Sequence, residues 1–111
     1  MKKFDIAGMP AAGYDQRGKN VFYQTPEFRM RIISLPPGGS MSKCDMASHI
    51  VFVCMKGEAE VNIGGEKISL SEGLGLVAEP AVVSMKTDTG ARLLGIQIEK
   101  TRTGTDQQGL R

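Results

Sequence analysis

The side chains of this sequence with chemical potential are few, and most lie in one stretch. Cys44 and Met46 stand two apart, Cys54 follows, and Met85 lies further on. Thiols and thioethers are soft ligands, suited to Cu(I) rather than to a hard cation. They are equally ordinary core fillers, since Met packs irregular gaps and free Cys is commonly buried. A redox role for Cys44 is an alternative, since Lys43 would favour the thiolate, but Asp45 opposes that. His49 is the sole histidine. Asp45 precedes it by four residues, a spacing that puts both on one side of a strand. A single histidine with no cysteine or carboxylate at ligand spacing is a weak signal for a metal or a general base, and an exterior or interface residue is the more ordinary reading. Arg29 and Arg31 also share a side and read as a solvated face, the alternative being clamps on a carboxylate. Gly38-Gly39-Ser40 is a turn without the lysine and helix of a phosphate loop.

Strands must position these groups. Asn20–Gln24 and Phe28–Leu35 flank a turn at Thr25-Pro26-Glu27, and the second run alternates Met30 and Ile32 against Arg29, Arg31 and Ile33. Pro36-Pro37-Gly38-Gly39 ends it. Ile50–Met55 is a short apolar run that stops at Gly57, which favours a buried strand over a helix. Glu58–Ile63 and Glu66–Leu70 flank Gly64-Gly65, a hairpin signal. Leu74–Ala78, Ala81–Lys86 and Arg92–Glu99 are three further strands. No segment has a helical period. About eight short strands at this spacing predict an all-β barrel or sandwich.

Composition narrows the function classes. The 111 residues suit one domain, with an N-terminal arm over 1–19 that holds at most a short strand, a barrel over 20–99 and a loose polar tail over 100–111. The net charge is +2, from 14 basic and 12 acidic residues without a basic run, so nucleic acid is not an expected partner. The absence of Trp and the scarcity of other aromatics argue against a base-stacking platform. No apolar run is long enough for a membrane span, and Asp5 interrupts what would be a signal peptide's apolar region. Two cysteines make no disulfide framework, so a cytoplasmic protein with reduced thiols is expected.

Pro37–Gly57 resembles the first motif of the cupin family. Gly38 leads, after five residues, to Cys44; then come Met46, Ile50 and Gly57, followed by Glu58-Ala59-Glu60-Val61. Gly73 resembles the start of the second cupin motif, and Thr89–Leu94 resembles its exit. The likeness spans roughly residues 20–99 and implies a small cupin-like β-barrel, a double-stranded β-helix or jelly roll. The family's metal-binding histidines fall on Cys44 and Met46, and its glutamate falls on Ile50. The last histidine falls on Ser84 counted from Gly73, or on Met85 counted from Pro80; alternation favours Met85 inside, because it leaves Lys86 in water.

The resemblance therefore implies a degenerate metal site, since imidazole and carboxylate have become thiol, thioether, alkyl and hydroxyl. No cofactor is expected, with Cu(I) at Cys44, Met46 and Met85 as an alternative. Ile50, Phe52 and Cys54 share the inward parity of Met46. With Cys44 and Ser84 or Met85, they predict an apolar pocket for an unidentified small molecule, or equally a filled core. A metal-independent isomerase resembling the epimerase cupins would have to rely on His49. By resemblance the chain is expected to form a homodimer, with residues 1–24 contributing.

Overall fold

The computed structural model describes residues 1–11 and 20–99. The tail expected over 100–111 and the middle of the arm, including Tyr14, lie outside the described residues. Residues 1–11 contain a turn and no strand. Eight strands follow: β1 (Val21–Gln24), β2 (Phe28–Leu35), β3 (Ser40–Met46), β4 (His49–Ile63), β5 (Glu66–Ser71), β6 (Gly75–Ala78), β7 (Ala81–Lys86) and β8 (Ala91–Ile98). Every pairing is antiparallel, in the order β1-β2-β8-β4-β7-β3, with β5 and β6 each paired to β4. The chain is an all-β, curled jelly roll, and none of the described residues is in an α-helix. Among them, no helix is long and apolar enough to cross a membrane.

β4 joins the two halves of the barrel. Its first part pairs β8 and β6, and its second part pairs β5 and β7. The sequence suggests a strand end at Gly57, and instead the strand runs through it. The register shifts between Cys54 and Lys56, and Gly57 takes φ 78°, so the strand bends from one sheet into the other. A Cβ at Gly57 would overlap the Gly90 carbonyl oxygen, so no larger residue fits there. Thr87 fastens this bend: its hydroxyl donates to the Glu58 carbonyl at 2.6 Å and accepts from the Gly90 N–H at 2.9 Å. Gly64-Gly65 makes the expected hairpin, with φ positive at both residues.

Alternation decides what each sheet face meets. Ile33, Leu35, Ile50, Phe52, Cys54, Ala91 and Leu93 point inward from the first sheet. Met41, Ala59, Val61, Leu70, Val83 and Met85 meet them from the second, and together they form one core cluster. The outer face of the first sheet is also apolar. One row runs Met30–Ile96–Val51–Val77 across four strands, and the next runs Ile32–Leu94–Val53. At the edge of this face Arg92 holds the N-terminal segment, donating to the carbonyls of Ile6, at 2.7 Å, and Met9. The Phe4 ring packs 4.7 Å from that of Phe22 on β1.

Candidate functional site

A cavity of about 230 Å³ opens at the end of the barrel where β2, β8, the start of β4 and the end of β3 meet. Its deeper wall is apolar and includes Ile33, Leu35, Met41, Ile50 and Phe52. Cys44 and Met46, both half-buried, lie on the β3 side. Strand β3 itself is not evident from hydrophobic periodicity, because the register shift between Met41 and Cys44 breaks the alternation. Gly95 on β8 leaves the middle of one wall without a side chain.

The arginines depart from expectation. Arg29 and Arg31 read as a solvated face, yet they stand half-buried on the cavity wall. They share the inner face of β2 with Ile33 and Leu35, opposite Gln97 and Gly95 on β8. The reason is that both faces of β2 are covered: Ile32, on the other side, is almost fully buried. The long aliphatic stems of arginine tolerate a partly buried wall while the heads stay polar. Arg31 Nη2 donates to Gln97 Oε1 at 3.4 Å, and Gln97 Nε2 lies 4.0 Å from Met46 Sδ. Arg29 Nε is buried and meets no acceptor among the described residues. Asp45, the only acid on the described lining, pairs with Val82, and both are exposed. Gln97 and Gly95 escaped the sequence reading, although their alternation with Leu93 places them on the inner face.

The remaining residues singled out from the sequence lie elsewhere. Cys54 is fully buried in the core, and its thiol donates weakly to the carbonyls of Gly57, at 3.4 Å, and Lys56, at 3.6 Å. Burial pushes that thiol above its ordinary range, opposed by the Lys56 hydrogen bond. Met85 is buried opposite Met41 and Val61, which resolves the register at 84 and 85. Ser84 pairs with Asn62 and, with Met85, borders a shallow second depression next to the Lys86–Glu60 ion pair at 3.6 Å. His49 is exposed at the start of β4, and it is the next residue, Ile50, that lines the cavity.

The donor set does not fit a metal of the imidazole–carboxylate type. Cys44, Met46 and Ile50, which the motif resemblance sets against two histidines and a glutamate, all line this cavity, and no group of three His, Cys, Asp or Glu side chains among the described residues could hold an ion.

No family model and no curated protein matches this sequence. Solved structures do match the fold. A cupin superfamily protein from Desulfitobacterium hafniense superposes with a TM-score of 0.67 at 17% identity, over 72% of this chain and 74% of that one. An RmlC-like cupin from Shewanella frigidimarina gives 0.63 at 21% identity, over 68% of each chain. KdgF from a Halomonas species gives 0.62 at 18% identity, over 73% of this chain and 76% of its own. The fold is that of a cupin, as the motif spacing implied.

Proposed function

We propose that this chain is a metal-free, cupin-like small-molecule-binding or regulatory module whose ligand occupies the apolar lumen of the barrel. One observation carries the reading: the open cavity is walled by Ile33, Leu35, Met41, Ile50 and Phe52, with the thiol of Cys44 and the thioether of Met46 beside them. A concave apolar site with a few convergent polar groups is the usual form of a small-molecule site. At about 230 Å³ it is smaller than the pockets that hold drug-sized molecules, so the ligand is compact. Catalysis through His49 has no support from its position outside the cavity. The proposal includes a cytoplasmic setting, in keeping with two free thiols. It also has the chain pair with a second copy through the apolar outer face of the first sheet.

Native mass spectrometry of protein purified gently without chelator tests this reading. The expected species is a dimer carrying an organic adduct, or a bare dimer that regains saturable binding of small organic compounds. One copper or other metal ion per chain would overturn it, as would a bare protein that binds no compound in an NMR screen.

A further inference from the structure

We propose that the ligand of this cavity is a small organic carboxylate, and that Arg29 is the residue that captures it, with Arg31 beside it. This assignment rests on the reading of the cavity as a ligand site. On β2, Arg29 and Arg31 are two residues apart and so project to the same inner face. Both line the cavity, at its polar end, while Ile33 and Leu35 continue the same face into the apolar wall. A ligand with a charged head and an apolar body matches that gradient.

The state of Arg29 points to an acceptor from outside the described residues. Its Nε–H is buried without a hydrogen-bond partner. A buried donor on a charged group is costly to leave unpaired, and such groups are normally satisfied. Asp45, the only acid on the described lining, stands opposite Val82, and both are exposed. The neighbouring guanidinium is already oriented, since Gln97 Oε1 accepts from Arg31 Nη2 and the Gln97 amide lies against Met46. A guanidinium presents a planar fork that matches the two oxygens of a carboxylate. Gly95, directly across from Arg31, puts no side chain of its own into the cavity beside these heads.

The test uses benzoate and its uncharged counterpart benzamide, with binding followed by amide chemical shifts of the labelled full-length protein. Wild type is expected to bind benzoate about ten-fold or more tightly than benzamide, the scale of a charge-assisted hydrogen bond. Resonances of β2 and β8 should move with both probes. Arg29→Gln should bring benzoate down to the affinity of benzamide and leave benzamide unchanged. Arg29→Lys should keep part of the preference, because it retains the charge and loses the fork. Equal affinities in wild type would overturn the carboxylate assignment while leaving the cavity as a ligand site. So would a preference that survives Arg29→Gln. The wild-type comparison stands even where a variant fails to fold. If neither probe moves a lining resonance, the cavity reading falls and this assignment falls with it.

Discussion

Gly95 offers the sharpest test of the cavity's shape. It lies in β8 on the inner face, opposite Arg31 on one side and Phe52 on the other. A Cβ there would meet Ile33 Cδ1 at 3.4 Å and Arg31 Cγ and Phe52 Cε1 at 3.5 Å, which are ordinary contacts. Its φ is not positive, so alanine suffers no backbone strain. Gly95→Ala should then recover about 0.5–1 kcal/mol of backbone entropy. The added methyl, packed among three neighbours, contributes up to about 0.8 kcal/mol more. A net gain near 1 kcal/mol would raise the thermal midpoint by roughly 4–8 °C in a domain of this size. Far-UV circular dichroism in urea and on heating measures both, and the chain has no Trp to follow by fluorescence. Gly95→Leu extends the same vector into the lumen and should keep the fold while abolishing ligand binding. A loss of more than about 1 kcal/mol in Gly95→Ala, the cost of overpacking, would show that the wall is closed at this point.

Four other outcomes follow from the same structure. Thr87→Val leaves the Glu58 carbonyl and the Gly90 N–H without their hydroxyl partner and should cost about 1–3 kcal/mol in urea unfolding, whereas Thr87→Ser should retain most of the stability. Cys54 should resist maleimide in the native state while half-buried Cys44 reacts. Because burial raises the folded thiol above the ordinary 9.0, the unfolded chain releases its proton first, so stability should fall as pH rises through 9.0, and Cys54→Ala should flatten that slope. Val77, 74% exposed at the end of the apolar row on the outer face, should lie in the dimer contact. Sedimentation should find a wild-type dimer and a weakened one for Val77→Asp, and a wild-type monomer would contradict the pairing.

Much of the fold was legible because turn residues and motif glycines punctuate the strands. Gly64-Gly65 announced its hairpin, and the parity of Ile50, Phe52 and Cys54 placed all three in the interior. Two features were hidden for physical reasons. The bulge between Met41 and Cys44 removes the period-two pattern of β3, so the residue pattern marks no strand there. Gly57 reads as a strand end, yet a positive-φ glycine in a bent strand lets β4 serve both sheets. The arginines misled for a different reason. On β2 both faces are covered, and alternation alone cannot say which one meets the lumen; charge suggested water, whereas the register with Gln97 and Gly95 brings Arg29 and Arg31 inside. Alternation with Leu93 places Gln97 and Gly95 on the inner face, but that they stand opposite Arg29 and Arg31 becomes visible only once β8 is known to pair with β2.

The central claim is an open, apolar lumen that needs no metal. Xenon, which enters dry apolar cavities, tests it most directly when applied under pressure to chelator-treated protein carrying labelled methyl groups. The account predicts saturable shifts of the Met41, Ile33, Ile50 and Leu35 methyls, with little change at Leu70 and Val61, and loss of the effect in Gly95→Leu. Unmoved lining methyls in a folded wild-type protein, or shifts that appear only when a metal is restored, would contradict it.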